Sequence, residues 1–78
     1  MEFTLSVMKK NHLAALLRQV RLDAALTQLQ VAKKIGQTQS YVSKYESGEQ
    51  RLDLMELEAV CKAVGIELTS FVERYLEG

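Results

Sequence analysis

The chain of 78 residues carries ten Lys and Arg against ten Asp and Glu, with 47% hydrophobic and 26% charged residues. This is globular rather than disordered composition, and the length suits one small domain with no room for a second catalytic or effector domain. The lone cysteine, Cys61, excludes an internal disulfide and points to a reducing, cytoplasmic setting, while the longest hydrophobic run, Leu13 to Leu17, is too short for a membrane span or a signal-peptide core.

The zero net charge conceals an asymmetry. Residues 1–45 hold Lys9, Lys10, Arg18, Arg21, Lys33, Lys34 and Lys44 against Glu2 and Asp23; residues 46–78 hold Arg51, Lys62 and Arg74 against Glu46, Glu49, Asp53, Glu56, Glu58, Glu67, Glu73 and Glu77. Such a dipolar chain can turn a positive face to phosphates while its acidic half keeps it soluble.

No proline occurs, and glycines at 36, 48, 65 and 78 divide the chain into blocks of helical length, so an all-α domain is expected. Phe3, Leu5 and Val7 alternate with polar residues as a short strand would, but a loose N-terminal arm over 1–8 is the favoured reading, with the domain proper over 9–78. Leu13, Leu16, Leu17 and Val20 make one apolar stripe of a first helix over about 8–22, for which Ser6 and Asn11 both qualify as N-cap.

Thr27 to Gln30 reads as a capping box opening a second helix, with Val31, Ala32 and Ile35 facing inward and Gly36 as terminator. Thr38 can cap a third helix through about Ser47, with Val42 and Tyr45 inward and Gly48 beyond it. Asp53 and Glu56 signal a fourth helix, whose Leu57, Val60, Cys61 and Val64 form the next stripe before Gly65. A fifth helix is expected over about 68–76, burying Leu68, Phe71 and either Tyr75 or Leu76.

Two short helices joined by a glycine-terminated turn, the second with a polar outer face, are the helix-turn-helix arrangement. Leu26-Thr27-Gln28, Val31 to Gly36, Gln39 to Gly48 and Arg51 closely resemble the XRE or phage-repressor (Cro-like) helix-turn-helix family, and the likeness spans about residues 13–72. The resemblance implies a compact five-helix bundle of the phage-repressor DNA-binding type, with its helix-turn-helix formed by helices 2 and 3. Ala25 departs from the family pattern, standing where a glycine usually closes the first helix, which implies a strained or differently wound turn. Leu29 takes a normally charged surface position, and Leu52-Asp53 replaces a frequent proline-containing start.

By the same resemblance the third helix lies in the major groove of double-stranded DNA. Gln39, whose carboxamide can donate to and accept from adenine at once, then reads bases together with Ser40, Ser43 and Lys44. Gln28 at a helix N-terminus, Arg51 in the following loop and the Tyr41 hydroxyl are the expected phosphate contacts, and Gln28 also braces Gln39 in the family. Arg21 and Glu46 are expected to form a structural ion pair between the first and third helices.

A homodimer on a palindromic operator follows, with Phe71, Val72, Tyr75 and Leu76 as its interface, aided by the arm around Phe3 and Leu5. The function expected is transcriptional regulation. The alternative is an antitoxin- or adaptor-like module that binds a protein partner and touches DNA secondarily. Cys61 reads as a core residue and His12 as an exposed one, so no nucleophile and base can be assembled: no enzyme, metal, cofactor or small-molecule substrate is expected.

Overall fold

A computed structural model describes the backbone of residues 2–78 and the side chains of residues 11–78. Five helices follow one another: α1 (Glu2–Asp23), α2 (Gln28–Ile35), α3 (Gln39–Glu46), α4 (Leu54–Val64) and α5 (Leu68–Glu77). Helix α1 begins at Glu2, so the loose arm expected over 1–8 is helical backbone from residue 2 on. Without proline or glycine before Gly36, nothing in that segment interrupts a helix once it is propagating from Leu13 backward. A role for Phe3 and Leu5 at an interface lies outside the described side chains.

The stripes read from the sequence converge on one core. Leu17, Val20, Val31, Ala32, Val42, Tyr45, Val60, Cys61, Val64 and Phe71 are buried together, and Leu13, Leu16, Ile35, Leu57 and Leu68 pack around them half-buried. Ala14 is also buried, on the inward face of α1. Burial pushes the Cys61 thiol above its ordinary range, which keeps it protonated and inert.

Capping sets the element boundaries. Thr27 accepts from the Gln30 amide while the Gln30 side chain accepts from the Thr27 amide, and Asp53 and Glu56 repeat this reciprocal arrangement at α4. Thr38 Oγ1 takes the Tyr41 amide at α3. Gly36, at φ 69°, turns the chain from α2 toward α3 in the left-handed region where a side chain is penalised. Helix α3 packs chiefly on α2 and α1, and α5 on α4 and α1.

Candidate nucleic-acid interface

Helix α3 is two turns long, too short to hold itself in water, so its orientation must come from what surrounds it. Its inward side chains, Val42 and Tyr45, are buried; Gln39, Ser40, Ser43 and Lys44 are all exposed. Helical spacing places Gln39 above Ser43 and Ser40 above Lys44, so the four expected base readers form one continuous polar face.

The C-terminal end of α3 is fixed by a charged network. Arg21 Nε donates to Glu46 Oε2 at 2.7 Å and Arg21 Nη2 to Glu46 Oε1 at 2.9 Å, a fork-to-fork pair whose two side chains are 10% and 4% exposed. The third guanidinium nitrogen donates to the Leu26 carbonyl at 2.9 Å, so Arg21 ties α1, the following turn and α3 together. The hydrogen bonds to Glu46 hold the Arg21 pKa above its already high ordinary value.

The turn that delivers the Leu26 carbonyl contains Ala25 at φ 58°, the single non-glycine residue in the left-handed region among the described residues. The alanine at the family's glycine position thus takes the glycine conformation with its strain.

Gln28, the first residue of α2, donates from Nε2 to Glu46 Oε1 at 3.2 Å. Its side chain therefore braces the ion pair and not Gln39, the partner the resemblance suggested. A carboxylate is a stronger acceptor than a carboxamide, and Glu46 Oε1 takes both Arg21 Nη2 and Gln28 Nε2. The Gln28 backbone amide, among the first of its helix, has no intrahelical acceptor and remains a donor for an anion.

Tyr41 also differs from expectation. Its hydroxyl donates to Glu56 Oε2 at 3.0 Å, and burial together with this hydrogen bond pushes its pKa up to about 12. The single phenolic proton is thus engaged, and a phosphate would have to displace it beside a carboxylate. Arg51 is exposed in the loop between α3 and α4, where no side-chain partner restrains it among the described residues.

At the other side of the molecule the expected interface residues separate. Phe71 is 1% exposed and belongs to the core, so it offers nothing to a second subunit: its ring fills the space between α5, α4 and α1. Tyr75 is half-buried, its ring 5.3 Å from that of His12 and its carbonyl 3.1 Å from His12 Nε2. His12 is consequently half-buried and joins α1 to α5 rather than standing exposed. Val72 and Leu76 remain uncovered, 38% and 73% exposed. The contacts of Glu56 and His12 escaped the sequence reading because their partners lie 15 and 63 residues away, beyond any local periodicity.

A helix-turn-helix family profile matches residues 17–71, which contain all of α2, α3 and α4. An XRE-family-like protein from Pseudomonas syringae pv. tomato superposes with a TM-score of 0.89 at 30% identity, over 97% of this chain and 93% of its own. The chain belongs to the XRE family of helix-turn-helix proteins. Other XRE-type folds lie close to it: the clp gene regulator ClgR from Corynebacterium glutamicum (TM-score 0.81, 25% identity, 88% of this chain and 73% of that one) and the restriction-modification controller protein C.Esp1396I (0.82, 22%, 88% and 91%). No curated protein matches the XRE chain significantly by sequence.

Proposed function

We propose that this XRE protein is a sequence-specific regulator of transcription that binds double-stranded DNA through α3. The observation that carries the reading is the polar face of Gln39, Ser40, Ser43 and Lys44 on a helix held from behind by the Arg21–Glu46 pair. Base edges are recognised only by donors and acceptors kept at a fixed angle, and an idle surface helix needs no such bracing. In support, C.Esp1396I, which shares the fold, is known as a tetramer on its natural 35 base-pair operator, and ClgR is a gene regulator.

Gln39 and Ser40 enter the groove first, with Ser43 and Lys44 one turn behind. The Gln28 amide and Arg51 hold phosphates on either side, and exposed Lys33 and Lys34 add long-range attraction. A homodimer places two recognition helices about 34 Å apart, one DNA turn, on a palindromic site. Val72 and Leu76 supply its apolar contact. Among the described residues no helix is long and apolar enough to cross a membrane, and the reading puts the protein in the cytoplasm with its DNA.

The test is selection of bound sequences from a random duplex pool, followed by titration of the winning operator and a scrambled duplex across salt. Gln39→Ala should lower the operator-to-scrambled affinity ratio by about 1 to 3 kcal/mol, whereas Arg51→Ala should weaken both complexes and reduce the log-log salt slope by about one. A pool that yields no preferred sequence would overturn the reading in favour of the antitoxin- or adaptor-like alternative.

A further inference from the structure

Two carboxylates meet α3 from opposite ends. Glu46 closes its last turn onto α1 and α2, through Arg21 and Gln28. Glu56, on α4, meets its first turn through Tyr41, the one side-chain hydrogen bond between α3 and α4 among the described residues. A short helix fixed at one end can still pivot about that end, and pivoting displaces the far end most. That far end holds Gln39 and Ser40, two residues and one residue before Tyr41.

The Glu56 carboxylate is well placed for a second duty. Its Oε1 accepts the Asp53 amide at 2.8 Å as half of the α4 capping box, which fixes the side-chain torsions and leaves Oε2 aimed at Tyr41 at 3.0 Å. Both carboxylate oxygens are thus engaged as acceptors, one by each donor. The Tyr41 ring in turn meets the buried Tyr45 ring edge-to-face, with centroids 5.8 Å apart and planes at 84°, so the phenol cannot swing without disturbing the core.

We propose that Tyr41 and Glu56 form a positioning device that sets the angle at which α3 presents Gln39 and Ser40, so that Glu56 governs sequence discrimination without touching DNA. The proposal rests on the DNA-binding reading above, and it replaces the expected phosphate contact of Tyr41 with an internal one. Nonspecific binding tolerates a small rotation of α3, because phosphates are met by flexible cations; bidentate base contacts do not.

The experiment compares Tyr41→Phe, Glu56→Gln and their double variant with the wild-type chain. Affinities are measured for the selected operator and a scrambled duplex, and amide hydrogen exchange over residues 39–43 is measured without DNA. Tyr41→Phe keeps the ring packing and removes only the hydroxyl. Gln at 56 has one acceptor oxygen for the two donors that Glu56 serves.

Each single variant should lower the operator-to-scrambled ratio about tenfold, the worth of a hydrogen bond to a charged group, and speed exchange in the first turn of α3. In the ratio the double variant should lose no more than Tyr41→Phe alone, since without the phenolic hydroxyl the change at Glu56 has no Tyr41 bond left to weaken. Asp53→Ala, which weakens the α4 cap but spares the Tyr41 bond, should lower Tm with the ratio unchanged.

The opposite result is equally sharp. If Tyr41 contacts phosphate directly, Glu56→Gln frees its hydroxyl, removes a negative charge and tightens both complexes, which overturns the proposal. A wild-type preference left intact by both variants overturns this inference alone, whereas a wild-type chain without any preference overturns the DNA reading and this inference with it.

Discussion

Helices α3 and α5 are similar in length, eight and ten residues, and each buries an aromatic ring, Tyr45 and Phe71, yet their ends are treated differently. Helix α3 has a side-chain cap from Thr38, a hydrogen bond to Glu56 in its first turn and the Arg21, Gln28 and Glu46 network at its last residue. Helix α5 follows Glu67, an N-cap residue that makes no side-chain cap, and its far end is held by His12 on a backbone carbonyl and by an exposed Arg74–Asp23 pair at 3.5 Å. Polar, directional contacts fix an angle; apolar contacts fill space and adapt. The helix proposed to aim side chains at base edges has the first kind, and the helix proposed to receive a second subunit keeps Val72 and Leu76 bare.

The largest effect that would break this contrast lies at Arg21. Arg21→Ala strands a carboxylate that is 4% exposed, and Glu46→Ala strands a guanidinium that is 10% exposed; each should cost about 3 to 5 kcal/mol in thermal melts. The double variant should lose less than their sum, because neither charge is then left unpaired. Strict additivity would mean that the last turn of α3 is no more constrained than that of α5.

The next effect belongs to α5. Leu76 is 73% exposed, so Leu76→Ser removes nothing from the core and should leave the melting of an isolated subunit almost unchanged. If it is buried between subunits, the same change should weaken the dimer by roughly 1.5 to 3 kcal/mol for each side chain lost, read as a shift toward monomer in sedimentation. A monomeric wild-type chain at high micromolar concentration, with and without operator, would remove the proposed interface.

The same contrast explains what the sequence disclosed. Caps, glycine turns and apolar stripes act within about one helical turn, so the sequence alone assigns Thr27, Thr38, Asp53, Gly36 and the Val60, Cys61, Val64 stripe to their elements. The family pattern extended this to a pair 25 residues apart, Arg21 and Glu46. Neither source identifies which of several polar side chains wins a given acceptor. Gln28 chose Glu46 over Gln39, Tyr41 chose Glu56, and His12 found the Tyr75 carbonyl across the bundle. Phe71 and Leu76 lie on the same helix within two turns, and only the packing of α5 onto α1 and α4 distinguishes the core ring from the surface side chain. The backward extension of α1 to Glu2 was obscured by a period-two pattern in a segment that also satisfies helical propensity.

The smallest effect tests the one place where local chemistry and required geometry disagree. Ala25 sits at φ 58°, where a Cβ crowds the following carbonyl, and its side chain is exposed, so nothing in the packing rewards the methyl group. The turn is retained because the Leu26 carbonyl must face Arg21, whose two remaining nitrogens are held by Glu46. Ala25→Gly removes the steric penalty but adds freedom to the unfolded chain, and the two terms partly offset. The net expectation is a gain of about 1 kcal/mol, which for a domain of this size raises Tm by about 4 to 8 °C. Ala25→Val should move Tm the other way, since a branched side chain tolerates positive φ still less. If glycine failed to stabilise, the turn would be free to adopt another conformation without loss, and the Leu26 carbonyl would not be the third fixed point that anchors Arg21 behind α3.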